Sequence, residues 1–147
     1  MDLDEAAAEL AARARAWRAA GLAVAEPTWR DGTAPWPQRL ETDRSRVSDP
    51  DSVGVLLSGP GETLLSVVLF RGGWADVAYF AGGDDAGALP ASGIGSAAEF
   101  GTRLDVWVAR VFGERGGLNA SGGRGAVSGE SGGAGEWSVG RVGGCRS

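Results

Sequence analysis

The chain has 147 residues, enough for one domain, and a formal net charge of −5. It contains no histidine and only one cysteine, Cys145, which removes the commonest general base, the Ser-His-Asp and Cys-His nucleophile systems, most zinc sites and any internal disulfide. The acidic balance disfavours nucleic-acid binding, and no apolar run approaches the ~18 residues of a membrane span.

The start, Met1-Asp2-Leu3-Asp4-Glu5, is acidic where a signal peptide is basic, so the expected location is the cytoplasm. Residues 3–20 then read as a helix. Leu3, Ala7, Leu10, Ala14 and Trp17 recur at spacings of three and four. Asp2, Asp4 and Glu5 suit its positive end, Arg13, Arg15 and Arg18 its negative end, and Gly21 its termination.

Residues 22–51 are broken by Pro27, Pro35, Pro37 and Pro50. Short strands are expected at 22–26 and 38–47, with Trp29 and Trp36 in the loop between them. Ser52–Ser58 is strand-like, and Gly59-Pro60-Gly61-Glu62 is a turn. Thr63–Phe70 and Trp74–Phe80 complete a three-stranded meander, which Gly82-Gly83-Asp84-Asp85 is expected to end. Ser96 and Glu99 have capping-box spacing ahead of a helix with Phe100, Leu104, Trp107 and Val111 on one face. Gly101 inside that helix suggests close packing on the sheet, and Gly113 is placed to end it.

The expected fold is therefore α+β: an antiparallel sheet of three to five strands, packed on one face by an N-terminal and a C-terminal helix. The composition changes at Gly113, since residues 113–147 hold 13 of the 26 glycines. We assign 1–112 to the domain and 113–147 to a Gly-rich, disordered tail. The charge divides the same way. Residues 1–112 carry 16 Asp+Glu and 10 Arg (−6); the tail carries 3 and 4 (+1); the sum is −5.

A three-residue Arg71-Gly72-Gly73 loop would place Phe70 opposite Trp74, followed by Val68–Asp76 and Ser66–Ala78. One face of the hairpin then carries Leu65, Val67, Leu69, Ala75, Val77 and Tyr79 and belongs to the core. The other carries Ser66, Val68, Phe70, Trp74, Asp76 and Phe80. That second face is either a partner-binding patch or is covered by residues 22–51 through Trp29 or Trp36. The candidate protein-binding residues are Phe70, Trp74 and Asp76, with Asp84 and Asp85 at the rim.

Other motifs carry less. Gly93-Ile94-Gly95-Ser96-Ala97-Ala98 fits G-x-G-x-x-A but has no buried strand before it and no parallel strand after it, so no cofactor is expected. Asp49, Asp51, Asp84 and Asp85 sit at expected turns, where Asp serves backbone hydrogen bonding, and no metal site is assigned. The Arg-Gly units at 115–117 and 122–125 are too sparse for RNA binding.

Ala16-Trp17-Arg18-Ala19-Ala20-Gly21-Leu22, then Arg39-Leu40-Glu41, then Val67-Val68-Leu69-Phe70-Arg71-Gly72-Gly73-Trp74-Ala75-Asp76-Val77 and a capped helix follow in an order similar to small TriTu-type immunity proteins of bacterial polymorphic-toxin systems. The resemblance covers about residues 8–112; the stretches 26–37 and 81–95 depart from the compact pattern. It implies a non-enzymatic protein that binds and neutralises a cognate toxin. An acidic body suits a basic toxin. The alternatives are a small chaperone or adaptor for another protein, and a homodimerising domain.

Overall fold

The computed structural model describes residues 1–113. The expected tail, with its Arg-Gly units and Cys145, lies outside the described residues apart from Gly113.

Helix α1 spans Leu3–Ala19. Asp2 caps it, its carboxylate accepting from the N–H groups of Asp4 and Glu5 at 2.9 and 3.1 Å. The far end closes as a Schellman motif: Leu22 N–H donates to Trp17 O and Gly21 N–H to Arg18 O, with Gly21 at φ +97°. Helix α2 spans Ala97–Phe112. Ser96 Oγ accepts from Glu99 N–H at 3.1 Å, while the Glu99 carboxylate reaches back one residue further than in the standard box, accepting from Gly95 N–H at 3.0 Å.

Six strands form one antiparallel sheet: β1 (Ala23–Val24), β2 (Thr28–Asp31), β3 (Pro50–Gly59), β4 (Thr63–Phe70), β5 (Trp74–Phe80) and β6 (Ala86–Ala88). β1 and β2 both pair with β3 and together make one interrupted edge. Across the sheet the order is β1/β2, β3, β4, β5, β6. The protein is thus α+β, with both helices on one face. Val53, Val55, Leu57, Leu65, Val67, Leu69, Ala75 and Val77 point to the helices and are buried with Leu3, Leu10, Trp17, Phe100, Leu104 and Trp107.

The sheet has six strands where three to five are expected, and Trp29 lies in β2 rather than in a loop, because β3 offers that segment an edge to pair with; three further expectations are corrected. The strand expected at 38–47 is absent. Asp43 instead caps a single 3-10 turn at Arg44–Arg46, accepting from the Ser45 N–H and hydroxyl. Only Glu41 pairs, exchanging backbone hydrogen bonds with Trp29. The sheet also does not end at 82–85, because β6 adds to β5 and the chain continues along that edge. Leu89 N–H donates to Val77 O, Ala75 N–H to Ala91 O, and Ile94 N–H to Gly73 O. Finally, Gly101 opens space for α1 rather than for the sheet: a Cβ there would meet Glu9 Oε1 and the Arg13 guanidinium. Arg13 bridges Glu9 and, at 2.8 Å, Asp105 of α2, so the glycine admits the ion pair that clamps the two helices.

Candidate functional site

The sheet face turned away from the helices is open along β5 and at Leu56 and Leu64, and buried at Ser52 and Gly54 of β3. The chain alternates along each strand, so Leu56, Leu64, Ser66, Val68, Phe70, Trp74, Asp76, Ala78 and Phe80 share it. The hairpin has the expected register: Phe70↔Trp74, Val68↔Asp76 and Ser66↔Ala78. Residues 22–51 close over the β2–β3 side of this face, where Ser52 is 1% exposed and Leu40, Thr28 and Arg30 stand around it, and leave the Trp74 end of the hairpin open. Trp29 is buried on the helix side, beneath the Arg44 guanidinium 5.1 Å from its ring centre, whereas Trp36 is 85% exposed.

Phe70 and Trp74 form the raised part of the face. Their rings stack with centroids 4.1 Å apart and planes 15° from parallel, and Trp74 remains 45% exposed. Leu56 and Leu64 add exposed apolar surface. Phe70 and Trp74 stand at one end of this face and Leu56 and Leu64 toward the other, with Val68, Ser66 and Asp76 between them; the stacked aromatic pair is therefore the feature of the kind that marks interaction sites, and the leucines are ordinary exposed apolar residues.

The hairpin tip is fixed from both sides. Gly73 closes the turn by donating to Phe70 O at 2.9 Å. It sits at φ +89°, and a Cβ there would lie 2.7 Å from Ile94 O, so both its conformation and its neighbour demand glycine. Arg71 holds Asp49 at 2.8 Å and Asp51 at 3.5 Å. Asp49 and Asp51 are therefore tied to the tip, and the Asp49 carboxylate beside Arg71 raises the guanidinium pKa above its usual value.

A depression lies next to the raised pair. It encloses about 310 Å³ and is bounded by Thr28, Arg30, Leu40, Ser52, Leu56 and Val68. It lies between the β2 side, with Glu26, Thr28 and Arg30, and the β3–β4 side, with Leu56, Ser66 and Val68; over Gly54 the Thr28 and Val68 side chains already close in, within 3.2 Å of where a Cβ would stand. The β2 wall is anchored by Asp31, whose carboxylate accepts from the Thr33 hydroxyl and N–H and from the N–H groups of Ser48 and Asp49. These four donors, the Thr33 hydroxyl foremost, lower its pKa to about 2.

The structure brings Phe70, Trp74 and Asp76 together but sets Asp84 and Asp85 apart. Both acids follow the far end of β5, about 20 Å from Trp74 at strand rise. Asp85 is engaged on the helix side. It accepts from Tyr79 Oη at 2.9 Å, and Arg110 lies 3.5 Å from it and 4.8 Å above the Tyr79 ring. Asp84 is exposed in the turn closed by Ala81 N–H to Asp85 O. Conversely, Arg30, Leu56, Leu64 and Leu40 belong to the face and were not singled out. The Pro27 and Gly32 brackets around Thr28-Trp29-Arg30-Asp31 were the available signal for β2.

Among the described residues no group of three or more His, Cys, Asp or Glu side chains converges as a metal site would, and no helix is long and apolar enough to cross a membrane. The G-x-G-x-x-A segment follows an antiparallel edge rather than opening a βαβ unit, and its Ile94 is buried. Comparison with protein-family models, curated proteins and solved structures finds no match for the chain.

Proposed function

We propose that this chain is a non-catalytic binding protein that neutralises a cognate toxin by seating its open sheet face on it, in the cytoplasm. The observation that carries this reading is the stacked Phe70–Trp74 pair, held rigidly at the open end of that face. Large aromatics presented on a fixed scaffold lose little entropy on binding, and such residues dominate interface energetics. Asp76 stands exposed beside them and supplies a charged contact at the patch.

Charge supports the same reading. The net charge of −6 over residues 1–112 attracts a basic partner and speeds productive encounter at low salt. The sequence resemblance to TriTu-type immunity proteins points to a toxin as that partner. Inhibition by occlusion needs no nucleophile, base or cofactor, only a surface.

The test is co-expression of the full chain with the product of the neighbouring gene, which the proposal expects to arrest growth by itself. Growth is expected to be rescued by the wild-type chain and not by Trp74→Ala. Absence of rescue by a wild-type chain that is folded and soluble counts against the proposal.

A further inference from the structure

An apolar groove of about 220 Å³ separates α1 from the β1/β2 edge, on the opposite side of the sheet from the Phe70–Trp74 pair. Leu10 and Ala14 form one wall, Val24 and Pro27 the other, with Val55 as the floor and Arg18 at one end. Two features of the sequence open it. Ala14, one turn on from Leu10, leaves the helix wall low. The edge strand also bulges here. Ala25 N–H donates to Leu56 O and Thr28 pairs with Gly54, so Glu26 and Pro27 together stand against Val55 alone. Pro27 has no N–H with which to rejoin β3. Glu26 points the other way and lines the depression of the open face.

Arg18 is the one charged side chain on this groove among the described residues. It donates to Val24 O at 3.3 Å, which holds the guanidinium at the mouth. Among the described residues it has no acidic partner, although Arg13, Arg44, Arg71, Arg103 and Arg110 all do. Arg15, three residues earlier on α1, is exposed and likewise unpaired. This end of the groove is therefore positive on an otherwise acidic body.

The chain leaves α2 close by. The Phe112 and Leu22 side chains both come within 3.1 Å of where a Cβ on Gly59 would stand, and Leu22 is two residues, about 7 Å, from Val24. Residues 114–147 still follow. They hold one aromatic, Trp137, with Glu136 before it and Val139 two residues after it.

We infer that Glu136-Trp137-Ser138-Val139 docks in this groove, the indole against Leu10, Ala14 and Val55 and the Glu136 carboxylate on Arg18. An apolar cavity of about 150 Å³ already accepts a benzene ring, so the groove has room for an indole. Residues 114–136 can span about 75 Å at ~3.3 Å each, so reach is not limiting. The tether supplies an effective concentration on the order of 1 mM, so a contact too weak to join separate molecules is populated within one chain. Docking here leaves the Phe70–Trp74 end of the sheet free and does not depend on the toxin-binding proposal.

Cys145 is the sole cysteine and lies eight residues beyond Trp137, so a nitroxide label on it reports where the segment sits in the full chain. The amide NMR signals of Ala11, Ala14 and Val24 should broaden and recover when the nitroxide is reduced, while those of Phe70 and Trp74 keep their intensity. Trp137→Ala, which alters no residue of the domain, should abolish the selective broadening. Arg18→Glu should lower the docked population about tenfold by opposing Glu136, and Arg18→Glu combined with Glu136→Arg should restore it. Broadening that is absent, uniform, or unchanged by Trp137→Ala overturns the inference. Broadening centred on Phe70 and Trp74 overturns it as well, by placing the segment on the open sheet face. So does broadening that requires a mixture of spin-labelled and isotope-labelled chains, because the segment then sits on a second copy.

Discussion

The Phe70 and Trp74 rings stack 4.1 Å apart across the mouth of a three-residue turn, so the most exposed aromatic of the sheet is also one of its best-positioned side chains. The Trp74 orientation follows from Gly73 behind it and from the Arg71 clamp beside it.

Removing the exposed ring should separate binding from stability. Trp74→Ala loses an aromatic pair worth about 1 kcal/mol but leaves the buried face untouched. Urea unfolding should show a decrease of that order with an unchanged m-value. Titration calorimetry against the cognate partner should show a loss of about 2 kcal/mol or more, as expected of an aromatic anchor.

The turn should be far less tolerant than its exposure suggests. Gly73→Ala forces a side chain into φ +89° and sets a Cβ 2.7 Å from the Ile94 carbonyl. Neither backbone can move without breaking the Ile94 N–H to Gly73 O bond. We expect destabilisation of about 2–3 kcal/mol, read as a lower urea midpoint. Gly72→Ala, where a Cβ would meet only the Trp74 ring at 3.5 Å, should cost well under half of that.

Gly101 allows a coupling test. Alanine ordinarily stabilises a helix interior by about 1 kcal/mol over glycine. Here the added methyl displaces Glu9 and Arg13 from the interhelical ion pair, so Gly101→Ala alone should gain nothing. In an Arg13→Ala background, with Glu9 free to swing away, the same change should recover about 1 kcal/mol. A double-mutant cycle by denaturant unfolding measures the difference.

Acid should loosen the β2 edge in a defined window. Asp31 has its folded pKa depressed to about 2 from an ordinary 3.8. Its contribution is therefore present above the unfolded value and is lost as pH falls from about 4 through about 2, where the unfolded chain binds the proton first. Asp4, held down by its hydrogen bond to Arg44, and Asp43, held down by Ser45, act in the same direction. Melting temperature against pH should fall below pH 4 in the wild type, and Asp31→Asn should flatten part of that slope.

The hairpin was legible because its signals agree. Uninterrupted alternation separated the faces, and a three-residue loop fixed Phe70 opposite Trp74. Helix α2 was legible from Ser96, Glu99 and its apolar spacing. What the sequence hid depends on distant partners. β2 is four residues between Pro27 and Gly32 and exists because β3 offers an edge. Ala86-Gly87-Ala88 has almost no strand character of its own and pairs only because β5 has a free side. Asp85 reads as a turn residue until Arg110, from the last turn of α2, reaches it. The depression could not be anticipated without β2, since Thr28 and Arg30 form one of its walls.

The central claim is that the open end of the sheet face, and not a catalytic centre, performs the function. The most direct measurement is growth rescue when the chain is co-expressed with the product of the neighbouring gene, the toxin under the proposal, comparing wild type, Trp74→Ala and Asp76→Arg with Asp84→Ala as a control at the far end of β5. The account predicts rescue by the wild type and by Asp84→Ala, and loss of rescue by the two face variants at unchanged expression and folding. Rescue by Trp74→Ala and Asp76→Arg at the wild-type level would contradict it.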